Sequence, residues 1–280
     1  MTAIVAALHA ATERLAAVSD NPRLDAEILL AHITSKDRTH FRAWPDNELT
    51  IAEAAAFQQL LKHRLDGVPI AYLTGAREFW SRDFQVTPEV LIPRPETELL
   101  IELALHLTSP DQSLRIADLG TGSGAIAITL ALERPLAQVT AIDLSPGALA
   151  VAGRNATQLA ARNIRFLLSD WFAVLPEEER FDLIISNPPY IAENDPHLAR
   201  GDVRFEPPLA LRSGSDGLNA MRRIILEAPA RLANGGWLLC EHGYDQSVAA
   251  QCLLRQAGLL EVASYPDLQG HPRVSGGRLN

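Results

Sequence analysis

The sequence of 280 residues predicts an α/β protein, in which a mostly parallel sheet of seven strands follows a small all-helical domain. From residue 96 onward, short apolar runs rich in β-branched residues alternate with longer helical patterns. Such alternation is typical of a parallel sheet with helices on both faces. Before Gly67, by contrast, every periodic segment has helical spacing and glycine is absent.

Composition limits the class of protein. Hydrophobic residues make up 47% of the chain and charged residues 21%, which is ordinary for a soluble globular protein. The longest apolar run, at 125–132, is too short to span a bilayer. The N-terminal segment carries Glu13 and no basic start, which favours a helix over a signal peptide. Cys240 and Cys252 have no metal or disulfide spacing, so we expect a cytoplasmic protein without a metal ion.

Residues 1–66 are expected to form helices only, and we assign 1–70 to a helical N-terminal domain. Its three predicted helices lie at 2–18, 21–35 and 49–65. Asn21 before Pro22 is a candidate N-cap, and Thr50 with Glu53 has the spacing of a capping box. Such a domain either completes the fold or docks a substrate, and we expect docking.

Residues 71–95 form a predicted linker before the main domain at 96–280. The linker is rich in glycine, proline and aromatic residues, and its pieces "REFW" and "FQV" predict a β-hairpin. In the main domain the strands are predicted at 114–119, 138–143, 164–169, 181–186, 236–241, 260–265 and 272–279. Helices are predicted between most of them, at 97–107, 124–133, 145–160, 216–232 and 245–257. The long irregular stretch at 187–215 is typical of a functional loop.

A glycine-rich turn, "DLGTGSG" at 118–124, joins the first of these strands to a helix. Glycines in such a turn bring backbone N–H groups close to a ligand. The spacing differs from that of dinucleotide-binding folds and no P-loop lysine follows, so phosphate is not the expected ligand. We predict that the motif binds a cofactor through residues Asp118, Gly120, Thr121, Gly122, Ser123 and Gly124.

Acidic residues end the next two strands. Asp143 ends the second strand, where a carboxylate can accept both hydroxyls of a ribose. Asp170 and Trp171 follow the third strand, where the acid can accept from an adenine amino group and the indole can cover the ring. Each acid alone can equally cap a helix, and Trp171 can equally belong to the core. Taken together they predict an adenosine with a tail that is not phosphate, which is S-adenosylmethionine.

The strand at 181–186 runs into Asn187-Pro188-Pro189-Tyr190. Two prolines cannot continue a central strand, so this exit is stiff and extended. The Asn187 side-chain oxygen and the Pro188 carbonyl can accept both N–H bonds of a planar –NH2 group, with Tyr190 packed against it. We predict that these four residues bind the substrate, that Asn187, Pro188 and Tyr190 act in catalysis, and that Asn187 also contacts the cofactor.

These motifs resemble those of class I, Rossmann-like S-adenosylmethionine-dependent methyltransferases that modify amino groups. The pieces "REFW", "LIPRPETE", "SDWF", "NPPYI", "GDVRFEPPLAL", "DGL" and "EHG" are similar to the peptide chain release factor glutamine methyltransferases, the PrmC or HemK family. The resemblance covers nearly the whole chain. It implies methylation of the glutamine amide in the Gly-Gly-Gln loop of bacterial class I release factors.

Three alternatives remain: a ribosomal-protein glutamine methyltransferase, a nucleic-acid exocyclic amino methyltransferase, and a non-catalytic sensor of the cofactor. The net charge of −9 and the pI of about 5.4 have the wrong sign for a nucleic-acid partner. We therefore expect no direct nucleic-acid contact, no membrane association and a monomer. No general base stands out among the candidates His197, Glu206, Glu241 and His242. Arg94, Glu96, Arg204 and Glu206 are expected to form ion pairs that order loops.

Overall fold

The computed structural model describes residues 2–280. The chain divides into two compact units. Unit 1 comprises residues 1–76 together with 199–205, and unit 2 comprises 77–198 and 206–280. Within the described residues, no helix combines the length and the apolar character that are needed to cross a bilayer.

Unit 1 is a small helical bundle. Its helices are α1 (Ile4–Leu15), α2 (Pro22–Thr34), α3 (Arg38–Ala43), α4 (Ile51–Leu65) and α5 (Ile70–Thr74). Their apolar faces meet in a core of fully buried side chains, which includes Leu8, Leu15, Leu29, Leu30, Phe57 and Leu61. The prediction of helices alone is wrong in one detail, because β1 (Thr2–Ala3) pairs antiparallel with β2 (Glu48–Leu49). These strands have two residues each, too few for a period-two pattern to be seen in the sequence.

Two N-caps were predicted in unit 1, at the N-termini of α4 and α2. The capping box is confirmed: Thr50 Oγ1 accepts from the Glu53 N–H, and Glu53 Oε2 accepts from the Thr50 N–H. Asn21 occupies the N-cap position of α2 as predicted, but its side chain makes no capping hydrogen bond. Pro22 at the first turn of α2 needs no partner for a backbone N–H, so the helix begins there without a side-chain cap.

Residues 199–205 belong to unit 1 although they follow it by more than a hundred positions. The guanidinium of Arg64 is almost fully buried and donates to Asp25 Oδ2 at 2.8 Å and to Asp202 Oδ1 at 2.8 Å. Arg204 Nη2 donates to the Asp66 carbonyl at 2.8 Å. A buried guanidinium requires such partners, so Asp202 helps to complete this bundle.

Unit 2 contains the seven-stranded sheet. Its strands are β5 (Arg115–Leu119), β6 (Gln138–Asp143), β7 (Ile164–Leu168), β8 (Phe181–Ser186), β9 (Leu232–Glu241), β10 (Leu260–Pro266) and β11 (Pro272–Arg278). They lie in the order β10-β11-β9-β8-β5-β6-β7. The five strands from β9 to β7 are parallel, and β11 is antiparallel to both of its neighbours. The predicted mostly parallel sheet is confirmed.

Helices cover both faces of the sheet: α6 (Glu98–Leu107), α7 (Ala125–Glu133), α8 (Pro146–Gln158), α9 (Asn219–Glu227) and α10 (Ser247–Gln256). Successive strand residues alternate between two buried clusters, as Ile116 packs with α6 and α7 while Ala117 packs with α9 and α10. The helix predicted at 216–232 is too long. It ends at Glu227, a short 3₁₀ turn follows, and β9 already begins at Leu232.

The hairpin in the linker is present as β3 (Ala76–Phe79) and β4 (Arg82–Gln85). Trp80 and Ser81 form its two-residue turn, with φ of 51° and 56°. Both central residues of a type I′ turn need positive φ, so Trp80 belongs to the turn and not, as the piece "REFW" implies, to the strand.

Candidate active site

The candidate site lies where the order of the parallel strands reverses. β5 has β6 on one side and β8 on the other, so the loops that follow β5 and β8 leave the same edge of the sheet in opposite directions. Ligands of open α/β sheets bind at this switch point. The glycine-rich turn and the Asn-Pro-Pro-Tyr segment therefore meet at one crevice.

A largely apolar cavity of about 410 Å³ occupies this crevice, a size suited to a small-molecule cofactor. The predicted site residues that line it are Gly120, Thr121, Gly122, Ser123, Asp143, Asp170, Trp171, Asn187 and Pro189. Asp118, Gly124, Pro188 and Tyr190 are not among the lining residues.

The backbone N–H groups of the glycine-rich turn are mostly used within the protein. Those of Gly120 and Thr121 donate to the Ile142 carbonyl, that of Gly122 donates to Asp143 Oδ2, and that of Gly124 donates to the Thr121 carbonyl. Four of the five N–H groups in the turn therefore already have a partner within the protein. What the glycines provide is clearance, and the turn does not offer the array of free donors that a phosphate requires.

Asp118 acts beneath the turn. It is fully buried, and its Oδ2 accepts from the Thr121 hydroxyl at 2.6 Å. Burial raises the pKa of Asp118 to about 7, while the hydrogen bonds from Thr121 and the Ala127 N–H oppose the rise. The contacts of Asp118 thus shape the turn.

Asp143 stands at the end of β6 with its carboxylate at the cavity. Oδ2 accepts from the Gly122 N–H at 2.8 Å and Oδ1 accepts from the Ser145 N–H at 2.9 Å. Burial raises the pKa of Asp143, and these backbone hydrogen bonds lower it. Each carboxylate oxygen can accept a second hydrogen bond, so both remain able to meet a diol.

Trp171 and Asp170 form another part of the lining. A Cβ placed on Gly120 would lie 3.6 Å from the Trp171 ring, so the indole covers the turn at van der Waals distance. Trp171 also packs partly against the core, so its ring belongs both to the core and to the lining of the cavity. Asp170 Oδ2 accepts from Arg223 Nη1 at 2.6 Å, which leaves Oδ1 for a ligand.

Asn187 is held in one orientation at the cavity. Its Nδ2 donates to Thr97 Oγ1 at 3.1 Å. Its Oδ1 is buried and has no hydrogen-bond partner among residues 2–280. A buried acceptor without a partner is costly, so a group that donates to Asn187 Oδ1 would be stabilised in this cavity.

The other three residues of the Asn-Pro-Pro-Tyr segment differ in whether they line the cavity. Pro189 lines the cavity beside Asn187, whereas Pro188 is buried. The Tyr190 hydroxyl donates to Glu241 Oε1 at 3.4 Å. Burial, followed by the charge of Glu241, raises the pKa of Tyr190.

The candidate bases are placed as follows. His242 is buried between the Gly243 carbonyl and the Ser275 hydroxyl, and burial lowers its pKa. His197 is exposed and pairs with Asp195. Glu206 is buried and accepts from Arg94 Nη2 at 2.5 Å, an ion pair of the expected kind. Arg204, in contrast, donates a hydrogen bond to the Asp66 backbone carbonyl within unit 1.

Most of the lining residues that were not predicted as site residues come from two stretches. One is 89–97, which begins in the last part of the predicted linker, and the other is 207–212 in the irregular stretch. They contribute Glu89, Val90, Leu91, Pro93, Arg94, Thr97, Pro207, Leu209, Ala210 and Arg212. Their proline content was the only local feature of the sequence that pointed to a functional loop. Which of these residues reach the cavity depends on the tertiary fold.

The sheet order, the glycine-rich turn and the acid after β6 define a methyltransferase of the class I type. A methyltransferase-domain family model matches residues 110–249, and a model of the PrmC N-terminal domain matches residues 6–75. Among solved structures, a 16S ribosomal RNA methyltransferase of Thermus thermophilus has a TM-score of 0.54 at 21% identity, over 73% of this chain and 50% of that one. A methyltransferase of Pyrococcus furiosus has a TM-score of 0.53 at 17% identity, over 79% and 96%. At these identities the likeness concerns the fold alone.

Curated relatives narrow the class to a family. The release factor glutamine methyltransferase of Vibrio cholerae is 50% identical over 98% of this chain and 96% of its own length. Those of Bordetella pertussis and Escherichia coli are 53% and 48% identical, over 92% and 93% of this chain and 95% and 93% of their own. This chain belongs to the release factor glutamine methyltransferase family.

Proposed function

We propose that this protein transfers a methyl group from S-adenosylmethionine to the side-chain amide nitrogen of the glutamine in the Gly-Gly-Gln motif of bacterial class I release factors. The observation that carries the proposal is the buried, unpartnered oxygen of Asn187 at the wall of the cavity. This oxygen can accept a hydrogen bond from an N–H group, and the primary amide of a glutamine side chain supplies one.

The cavity fits S-adenosylmethionine in its chemistry. It is apolar, it has a carboxylate at Asp143 with acceptor capacity left for a ribose, and its glycine-rich turn has few free donors for phosphate. We assign the ribose to Asp143, the adenine ring to Trp171 and its amino group to the free oxygen of Asp170. The cofactor supplies a methyl group bonded to a positively charged sulfur.

The chain's own residues must then orient a weak nucleophile. The lone pair of an amide nitrogen is delocalised, so the –NH2 group must be held with its nitrogen directed at the methyl carbon. Asn187 Oδ1 accepts one N–H, and we assign the second to the Pro188 carbonyl. Fixed acceptors also stabilise the positive charge that develops on the nitrogen as the carbon–nitrogen bond forms. The two prolines keep these acceptors in place before the substrate arrives.

Substrate choice needs more surface than one glutamine side chain offers. We assign this task to the helical residues 1–70, which hold another part of the release factor while its Gly-Gly-Gln loop enters the cavity. Glycines beside the glutamine let its side chain reach a recessed site without steric conflict. The enzyme then acts as a monomer on a folded protein and makes no direct contact with nucleic acid.

Incubation with labelled S-adenosylmethionine and a bacterial lysate tests the substrate assignment. We expect the label on class I release factors, and mass spectrometry should place one methyl group on the Gly-Gly-Gln glutamine. Label on a ribosomal protein or on nucleic acid instead would overturn the assignment.

The Asn187→Ala variant tests whether Asn187 Oδ1 holds the –NH2 group of the substrate. Loss of one acceptor for the reacting group should lower kcat by about 10²–10³, by analogy with the donors of oxyanion holes. Affinity for S-adenosylhomocysteine, measured by calorimetry, should stay close to that of the wild type. Near-normal turnover would mean that Asn187 only shapes the loop.

A further inference from the structure

We propose that Gln246 is a positioning residue for methyl transfer: it holds the Tyr190 carbonyl and thereby fixes the far end of the Asn-Pro-Pro-Tyr segment. The proposal rests on the proposed function and deepens it, because it explains how the acceptors for the substrate –NH2 group stay in place before the substrate arrives. It adds a residue from the start of α10, far from the segment in the sequence.

The Asn-Pro-Pro-Tyr segment has to be fixed at its ends. Pro188 and Pro189 have no N–H, so the middle of the segment cannot donate a backbone hydrogen bond to its surroundings. At the near end, Ser186 of β8 pairs with Leu119, and its hydroxyl donates to the Leu119 carbonyl at 2.6 Å. The position of the Pro188 carbonyl therefore depends on what holds the other end, at Tyr190.

The peptide plane between Tyr190 and Ile191 is held from both sides. Gln246 Nε2 donates to the Tyr190 carbonyl at 3.0 Å, and the Ile191 N–H donates to the Leu211 carbonyl at 2.9 Å. The C=O and the N–H of a planar trans peptide point in opposite directions, so the two bonds together stop the plane from rotating. Loss of the Gln246 bond would leave the plane free to turn about the other one.

The partners of the Gln246 amide determine its orientation. Its Oε1 accepts from the Gly243 N–H at 2.9 Å, and its Nε2 also donates to the Asp216 carbonyl at 3.4 Å. A backbone N–H needs an acceptor and the two carbonyls need donors, so the reverse orientation would lose all of these bonds. Gln246 thus connects three pieces of the sequence that lie far apart in the chain, "NPPYI", "DGL" and "EHG".

The absence of a side chain at Gly217 makes this contact possible. A Cβ on Gly217 would lie 2.2 Å from the Tyr190 carbonyl oxygen and 2.7 Å from Gln246 Nε2. Both distances are far below van der Waals contact, so a side chain there would displace the carbonyl and the amide that binds it. The backbone at Gly217 therefore forms one wall of the place where Tyr190 and Gln246 meet.

The Gln246→Glu variant, assayed on a purified class I release factor, tests the proposal. An ionised glutamate is acceptor-only, so it repels the Tyr190 carbonyl, while its other oxygen can still accept from the Gly243 N–H. We expect kcat to fall about 10- to 100-fold, the scale for a small displacement of groups that orient a substrate. KM for the release factor, the affinity for S-adenosylhomocysteine and the thermal midpoint should stay close to those of the wild type, which separates positioning from a structural role.

Gln251→Glu is the matched control. Gln251 lies in the same helix, and its Oε1 accepts from Arg255 Nη2 at 3.0 Å. The same chemical change there keeps an acceptor for Arg255 and should leave kcat unaltered. A Gln246→Glu enzyme with the kcat of the wild type, or with a loss no larger than that of Gln251→Glu, would overturn the proposal. A wild-type enzyme that does not methylate the release factor would instead overturn the proposed function, and this proposal with it.

Gly217→Ala gives a second measurement, which does not depend on the charge introduced at position 246. Its methyl group should displace the Tyr190 carbonyl, so we expect kcat to fall by at least the same factor. Gly270→Ala is its control, because Gly270 has φ of 84°, close to the 75° of Gly217. Among residues 2–280, nothing beyond its chain neighbours lies within 4 Å of the place that a Cβ on Gly270 would take. Equal kcat values for these two alanine variants would contradict the proposal.

Discussion

At the scale of single residues, Asp143 connects the cavity to the glycine-rich turn that borders it. Its two oxygens already hold the N–H groups of Gly122 and Ser145, so the carboxylate positions the turn as well as any ribose bound above it. Asp143 thus supports the turn in addition to its proposed contact with the ribose, while Ser145 is the N-cap of α8 and caps it with its own hydroxyl.

The Asp143→Ala variant should bind S-adenosylhomocysteine more weakly by roughly 1.5–3 kcal/mol, the scale for a lost charge-assisted hydrogen bond. Isothermal titration calorimetry measures this directly. Arg223→Ala is a useful comparison, because it removes the ion-pair partner of Asp170 on the protein surface and leaves Asp143 untouched. Unchanged affinity in Asp143→Ala would refute the ribose assignment.

At the scale of elements, the turn between β5 and α7 shows two different needs for glycine. Gly122 has φ of 56° and open space where a side-chain methyl group would lie, whereas Gly124 has φ of 82° and no room. A Cβ on Gly124 would lie 2.7 Å from Ile128 Cδ1 and 3.1 Å from the Ala152 methyl. Gly124 therefore allows α7 and α8 to pack closely, while Gly122 keeps the cavity clear.

Gly124→Ala should therefore affect mainly stability, and Gly122→Ala should affect mainly ligand binding. Gly124→Ala combines about 1–2 kcal/mol of backbone strain with about 1–3 kcal/mol of overpacking, so its thermal midpoint should fall clearly. Gly122→Ala meets only the backbone strain, but its methyl group stands at the cavity, so its main effect should be weaker binding of S-adenosylhomocysteine. Calorimetric melting and titration of both proteins check the prediction. Equal stability losses would contradict it.

The elements also show what the sequence can predict and why the rest escapes it. The sequence predicts β5, β6 and β8 because each contains a buried apolar run, which is bounded at its C-terminal end by a glycine-rich turn, an acid or a proline-rich segment, respectively. The partner of Asn187 was not, since Thr97 lies 90 positions earlier in the chain and no local periodicity links them. The pair β1 and β2 was missed because two-residue strands leave no pattern. Pocket residues on irregular segments depend on tertiary contacts that a single sequence does not display.

At the scale of the whole molecule, the proposed docking role of residues 1–70 can be tested without deleting them. Deletion would remove the packing partners of residues 199–205, whose Asp202 accepts a hydrogen bond from Arg64. A surface substitution avoids this problem. Trp44 is 56% exposed, and Val5, 45% exposed, donates its backbone N–H to the neighbouring Pro45 carbonyl. Exposed tryptophan is enriched among the residues that dominate protein interfaces.

Trp44→Ala should therefore raise KM for a whole release factor about tenfold or more, the cost of a typical interface hot spot. Methylation of a short Gly-Gly-Gln peptide, which is too small to reach a second surface, should not change. Leu268→Ala is the control, since Leu268 is a fully exposed apolar side chain in unit 2. An unaltered KM for the whole factor would exclude Trp44 from the docking surface.

The contribution of residues 199–205 to unit 1 has a consequence for biogenesis. A ribosome makes the chain in one direction, and 138 positions separate Arg64 from Asp202. At about 5–20 residues per second, roughly 7–28 s pass between the two. Throughout that interval the buried arginine has only Asp25 and the Val68 carbonyl as partners, and its bond to Asp202 forms only after the Asn-Pro-Pro-Tyr segment has been translated. The first domain to be synthesised is thus completed late, by a piece of chain that follows the Asn-Pro-Pro-Tyr segment.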